Sequence, residues 1–265
     1  VTAVFVQGVG LVAPGLLGWR ANLDVLRGAR AYQAQPLPAF NPALLPANER
    51  RRLTPTTKLA LQAAQEALEP SAISADHLCS VFASSGGDYE IIDKLCTALL
   101  LPERPVSPTH FHNSVHNAAA GYWTIATGCH QPSTSLSAYD WSFSAGLLEA
   151  ATVAHGEGVP VLLVAYDQPA PFPLSEARPL HAPFATALLL EPEPSPAGFA
   201  ELRLGLTSQG SEDQLNDPQL ERLRTGNPAA RSLPLLQAMA GGRAGAVRLP
   251  YLSGQQLLIH FAPCP

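Results

Sequence analysis

The stretch NSVHNAAAGYWTIATGCHQPSTSLSAYDWSFSAGLLEAA, residues 113–151, decides the fold class. It divides into a small-residue helix opening at His116-Asn-Ala-Ala-Ala-Gly, a polar strand and turn from Ser133 to Asp140, and a second helix over 141–154. A strand that enters a sharp turn and feeds a helix presents a side chain at a helix N-terminus, where free N–H groups and the dipole favour an anion. That frame suits a nucleophile. Here the turn carries Asp140 and no cysteine, and the aspartate reads as a cap for the helix from Trp141 onward.

Outward from this stretch, Val161-Leu-Leu-Val-Ala165 is a continuous apolar run of the kind buried on both faces of a sheet, with Pro160 at its entry. Residues 184–191 and 199–207 read as further strands. On the other side, residues 2–8 form an apolar strand that closes on Gly8-Val-Gly10 as a tight turn; without a third glycine the motif is weak as a phosphate loop. Trp19, Leu23 and Leu26 share one helical face stopped by Gly28, and prolines mark 33–46 as a surface loop. Thr54-Pro55 is an N-cap with proline at the first turn, opening a helix that runs to Leu68. Residues 79–87 are a strand ending in a glycine turn, and Asp88 caps a helix over 88–100. Strands alternating with helices predict an α/β fold with a mostly parallel sheet covered by helices on both faces. Beyond Thr207 the chain is less regular: 208–227 is polar and expected to be exposed, 233–239 is a short helix, Gly241-Gly-Arg-Ala-Gly breaks, and 255–261 is a strand that packs His260 in a sheet.

Composition narrows the function. With 265 residues, 46% hydrophobic and only 14% charged, the chain is apolar enough to imply extensive burial, in part against a partner. A net charge of -5 leaves no basic field for nucleic acid or an anionic membrane. Cys79, Cys96, Cys129 and Cys264 have neither zinc-site spacing nor the density of a disulfide framework, and Cys79 sits in apolar strand company as a core residue. No signal peptide or bilayer-length apolar run is visible, so a cytoplasmic protein is expected, without metal or cofactor. His110, His112 and His116 lack an acidic or thiolate partner nearby and read as loop or interface histidines. Arg50-Arg-Arg52 reads as a solvated charge run or a site for an acidic carrier protein.

The order of these segments resembles the N-terminal half of a β-ketoacyl synthase, a thiolase-like condensing enzyme. The similar segments are Val6-Gln-Gly-Val-Gly-Leu-Val-Ala-Pro14, residues 19–28, the helix from Arg50 to Leu68, residues 81–87, 113–151 and 161–165, and Arg178-Pro-Leu followed by 184–191. The resemblance implies a thiolase-like layered fold whose N-terminal half runs βαβαβαββ over 1–207, with 208–265 a strongly reduced C-terminal remnant on the same core. In that family the turn before the second helix carries the nucleophilic cysteine, and by the family's spacing that position falls on Asp140. An acyl-aspartate would be an anhydride, more reactive than the thioester that donates the acyl group, so transfer to it runs uphill. The family's condensation also needs two histidines from the C-terminal half, where this chain has only His260 in roughly its last sixty residues.

The resemblance therefore implies a silent, chain-length-factor-like subunit. It would pair with an active β-ketoacyl synthase, act on chains borne by an acyl carrier protein, and belong to the shortened type associated with aryl polyene pigments. Phe111, His112, Val115, His116, Asn117, Tyr139 and Asp140 would then face the partner's acyl tunnel. Two other readings remain from the residues: a hydrolase or thioesterase-like enzyme using Ser135, Ser137 or Asp140 with His112 or His116, against which stands the lack of a Gly-x-Ser-x-Gly elbow, and a stand-alone binding module for acyl chains or carrier protein.

Overall fold

A computed structural model describes residues 2–69 and 71–264. In chain order the strands are β1 (Thr2–Ala13), β2 (Leu16–Leu17), β3 (Cys79–Ala83), β4 (Ser133–Leu136), β5 (Val161–Asp167), β6 (Phe184–Glu191), β7 (Ala200–Thr207), β8 (Gly245–Pro250) and β9 (Gln256–Pro263). The helices are α1 (Leu23–Leu26), α2 (Ala47–Arg50), α3 (Pro55–Leu68), α4 (Tyr89–Leu100), α5 (Pro108–Asn113), α6 (Ala118–Thr127), α7 (Ser142–Glu157), α8 (Leu174–Ala177), α9 (Pro218–Thr225) and α10 (Leu233–Gly241).

The strands form one sheet in the order β4-β3-β5-β6-β1-β7-β9-β8, with β2 turned back on β1. Parallel pairing is confined to β3 with β4 and β3 with β5. All other pairs run antiparallel, so the expected mostly parallel sheet is corrected to a mixed one. The connections explain this: α6 and α7 carry the chain back across the sheet between β3, β4 and β5. The step from β5 to β6 has only the four-residue α8, and β8 reaches β9 through a short turn, so those strands reverse.

Helices cover both faces, as expected for an α/β fold. Alternate residues of β5 feed two cores: Leu162, Val164 and Tyr166 meet α3 and α6 through Leu59, Ala63 and Trp123. Val161, Leu163 and Ala165 join Phe143 and Leu147 of α7 and Leu235 and Leu236 of α10 on the other face. Double-sided burial is why β5 reads as an unbroken apolar run. Residues beyond Thr207 complete this second core, with β9 hydrogen-bonded along β7.

Several local expectations hold. The Thr57 N–H donates to Thr54 Oγ1 at 3.1 Å and caps α3, and the Ile91 N–H donates to Asp88 Oδ1 at 3.1 Å to cap α4. Others change. The glycines of Gly8-Val-Gly10 lie inside β1, which runs on to Ala13 with a register shift between Val6 and Gly8. A Cβ on Gly10 would stand 1.9 Å from the Ala63 carbonyl oxygen, so this glycine serves the close approach of α3 to the sheet rather than a turn. The segment around His110 is a short helix, α5, with Ser107 as N-cap and Pro108 at its first turn. The polar stretch after Thr207 contains α9, whose Arg224 is buried between Glu221 and Glu212 at 2.6 and 3.0 Å. Its polarity marks an internal ion-pair cluster, not an exposed loop. The glycine-rich break runs into β8, an edge strand that pairs with β9. His260 is on β9 as expected, on its exposed side.

Candidate functional site

Because β3, β4 and β5 are parallel, their C-terminal ends deliver three segments to one place: Ser84-Ser-Gly-Gly87, Ser137-Ala-Tyr-Asp140, and Asp167. Asp167 is fully buried and organises the floor. Its Oδ1 accepts from Ser84 Oγ at 3.0 Å, and from the Ser85 N–H and Oγ, both at 2.8 Å. Its Oδ2 has no hydrogen-bond partner among the described residues. Burial pushes the Asp167 carboxyl up to about 6, against the bonds from Ser85 and Ser84 and the charge of Arg178. Asn227, from the segment after α9, donates through Nδ2 to the Asp167 carbonyl at 3.1 Å and ties the tail to this floor.

Above the floor, the turn after β4 is tight. Tyr139 adopts a left-handed backbone (φ 55°), strained for a residue with a side chain, and a single 3-10 turn (Tyr139–Trp141) precedes α7. The expected capping by Asp140 is not what the carboxylate does. It pairs with Arg178 at 2.7 Å, while Ser142 closes the turn: its Oγ donates to the Tyr139 carbonyl at 2.7 Å and accepts the Ala138 N–H at 3.1 Å. The physical reason is the 3-10 turn, which places Asp140 inside the helical segment instead of ahead of it, beyond reach of the next free N–H groups. The Arg178 guanidinium also lies 3.8 Å from the centre of the Tyr139 ring. Burial alone would lower the Arg178 pKa, and hydrogen bonding to Asp140 and Tyr89 outweighs that and raises it.

Of the residues singled out from sequence, His116, Tyr139 and Asp140 gather here. The His116 ring lies 3.0 Å from the Leu136 carbonyl, at the end of β4. His112 is on α5 with its ring edge-on to Tyr122, centroids 6.0 Å apart. Phe111 (66% exposed) and Val115 (50%) point to solvent with Asn117. Ser137 Oγ donates to the Ser85 carbonyl at 2.9 Å, Ser135 Oγ is buried without a partner, and Asp140 is taken by Arg178. Among the described residues no hydrogen bond joins a serine hydroxyl to a histidine ring, so a hydrolytic relay through Ser135 or Ser137 is not assembled here. Among the described residues no three His, Cys, Asp or Glu side chains gather as metal ligands.

Sequence reading passed over the role of Arg178, Asp167 and the Ser84-Ser85 pair. A detectable signal existed for Asp167, an acid ending a strand that is otherwise wholly apolar. Arg178 had none, because its place depends on how the loop between β5 and β6 folds back over the turn.

A family model described as "Beta-ketoacyl synthase, N-terminal domain" matches residues 19–247. No curated protein sequence matches the chain. Among solved structures, the chain is similar to one from the complex of a ketosynthase (ApeO) with its chain length factor (ApeC) from Xenorhabdus doucetiae. That similarity is 26% identity over 98% of this chain and 99% of that one, with a TM-score of 0.72. The ishigamide ketosynthase/chain length factor matches over 100% of both chains at 14% identity and a TM-score of 0.73. A chain from the complex of a type II polyketide synthase acyl-carrier protein with its ketosynthase matches over 99% of both at 15% identity and a TM-score of 0.75. These last two likenesses are of fold.

Proposed function

From the premise that this chain belongs to the β-ketoacyl synthase N-terminal domain family, we propose that it is a non-catalytic, chain-length-factor-like subunit. It pairs with an active β-ketoacyl synthase in the cytoplasm and shapes the acyl tunnel of that partner during polyene or fatty-acid-type chain elongation on an acyl carrier protein. The observation that carries this reading is the Asp140–Arg178 pair in the turn where the family holds its nucleophile. A carboxylate neutralised by a guanidinium has no route to a stable acyl intermediate.

The surface supports a partner. Of α4, an apolar helix, only Ile91 is buried, and Leu99, Leu100 (86% exposed) and Leu101 end it in solvent. Phe111, Val115, Ile125 and Tyr139 add exposed apolar side chains on α5, the link to α6, α6 and the turn. The outer edge of β4 has no strand neighbour among the described residues. Such surface suits an obligate interface, which is built like a domain core. Phe111, His112, Val115, His116 and Asn117 are our candidates for the tunnel wall, and residues 208–265 our candidate remnant that seals the site from behind.

Co-expression with a ketosynthase and its carrier protein tests the proposal. A stable heterodimer is expected, and Phe111→Ala should lengthen the acyl product or weaken the heterodimer by about ten-fold or more, the loss typical of an aromatic anchor. A chain that stays monomeric beside the ketosynthase and condenses acyl groups alone refutes it. Binding to carrier protein without ketosynthase would favour the binding-module reading.

A further inference from the structure

A second region, sharing no residue with the Asp140–Arg178 site, carries a large open cleft. A cleft of about 1140 Å³ opens where β1, β2 and the segment before α1 meet α3 and the start of β7. Its walls mix polar and apolar side chains, with three aromatic rings, Trp19, Phe40 and Phe199, among them. Trp19 and Phe199 stack with ring centroids 6.4 Å apart, and Phe40 and Leu23 also line the space. Two carboxylates line it as well, Glu66 on α3 and Glu69 at its C-cap.

The two acids differ. Glu66 is fixed: its Oε2 accepts the Leu11 N–H at 2.9 Å and its Oε1 accepts the Trp19 N–H, which holds the carboxylate against the turn before Trp19. Burial raises its carboxyl above the ordinary range. Each oxygen retains a further lone pair beyond the one its amide uses. Glu69 is exposed and makes no side-chain hydrogen bond among the described residues. Arg20 also borders the cleft, from an exposed position. Gln7, at the bulge in β1, is a wall and no ligand: its amide is engaged by Glu191, Ser195 and Ser71.

Aromatic faces carry negative quadrupole potential, which attracts cations and repels anions. The partly desolvated Glu66 and the exposed Glu69 act in the same direction and outnumber the one cation among the described residues at the rim, the exposed Arg20. At about 1140 Å³ the cleft is larger than the usual small-molecule site, so a compact ligand fills only part of it. We propose that this cleft binds a small organic ammonium with an apolar aryl or alkyl body, the body lying against Trp19, Phe40 and Phe199 and the ammonium facing Glu66 and Glu69. The inference does not depend on the subunit role proposed above.

Three probes with one skeleton test it: 3-phenylpropylammonium, 3-phenylpropan-1-ol and 3-phenylpropionate, titrated into the full chain, alone or with its ketosynthase, by calorimetry and tryptophan fluorescence. The ammonium is expected to bind about ten-fold or more tightly than the carboxylate, with the alcohol between them. Glu69→Gln should weaken the ammonium by about three-fold or more with an unchanged circular dichroism spectrum. Trp19→Phe should abolish the fluorescence response while calorimetric binding persists. Equal affinity for the three probes, no binding, indifference to Glu69→Gln, or a fluorescence response that survives Trp19→Phe would each overturn the proposal.

Discussion

Asp167→Asn should make the protein more stable at neutral pH, although it alters the most buried acid of the site. In the folded protein the carboxyl titrates near 6, against an ordinary 3.8, because burial disfavours the charge. The folded state therefore holds a proton between roughly pH 4 and 6 that the unfolded chain has released, so this group's contribution to stability falls as pH rises through that window. Above pH 6 both states are ionised and the folded carboxylate carries the full penalty. About two pKa units correspond to roughly 3 kcal/mol. Asparagine keeps an oxygen for Ser84 and Ser85 and places an uncharged group where Oδ2 lacks a partner. It loses the charge-assisted part of those bonds and leaves its own N–H groups short of acceptors, so about 1–2 kcal/mol of gain remains at pH 8. For a chain of this size that is about 2–8 °C in Tm. Thermal unfolding of both proteins from pH 4 to 8 reads it: the variant's advantage should be present at pH 8 and vanish towards pH 4. A variant less stable at pH 8, or an advantage that does not shrink on acidification, refutes a charged, desolvated Asp167.

Three further outcomes follow from the same geometry. Arg178→Ala removes an ion pair with a side chain 12% exposed and its contact with the Tyr139 ring. Asp140 is 41% exposed, so solvent discounts the pair, and a loss of about 1–3 kcal/mol is expected; urea unfolding checks it, and Asp140→Asn in the Arg178→Ala background should add little. Gly10→Ala places a methyl 1.9 Å from the Ala63 carbonyl oxygen, which α3 can only relieve by moving off the sheet; a loss of about 3 kcal/mol or more, or insoluble protein, is expected on expression. Asp140→Cys puts a thiol beside the Arg178 guanidinium and ahead of α7, so iodoacetamide should label it about three-fold or more faster than exposed Cys96, while mass spectrometry of reactions with malonyl and acyl thioesters shows no condensation product.

How much of this was legible depended on the range of the interactions involved. Thr54 and Asp88 announced their helices because a cap and its helix are neighbours in sequence, and β5 announced a two-faced sheet because its burial is written into consecutive residues. Gly10 misled, since a glycine needed for helix packing looks the same in sequence as one needed for a turn; its partner, Ala63, is on a different element. The mostly parallel sheet was extrapolated from the strand–helix alternation of the first two thirds of the chain, although the proline-rich connections before β6 and β7 carry no crossover helix long enough for parallel pairing and so reverse the strands. The α9 segment was read as exposed because Arg224, Glu221 and Glu212 look like surface charge until they are found paired around a buried guanidinium. At the candidate site the turn and Asp140 were locatable by spacing, while the partner that decides what Asp140 does, Arg178, arrives from a loop 38 residues later in the chain.

That distance bears on how the site came to be silent. A nucleophile in the turn would need an unneutralised anion at the start of α7, open approach from outside, and acid–base groups beside it. Each requirement is met differently by a separate segment here. The turn supplies a carboxylate, the loop between β5 and β6 supplies the guanidinium that neutralises it and stacks on Tyr139, and the tail supplies Asn227, bonded to the carbonyl of Asp167 beneath. Arg231, also from the tail, is close enough to feel the charge of Asp140. Replacing one residue therefore changes one of three conditions, which is why introducing a thiol at position 140 is expected to give a reactive cysteine and no condensing enzyme. The strand, turn and helix do not depend on a nucleophile, because their burial belongs to the core of the sheet, and the same frame sets the position of the exposed Phe111 and Val115, our candidates for a partner's tunnel wall.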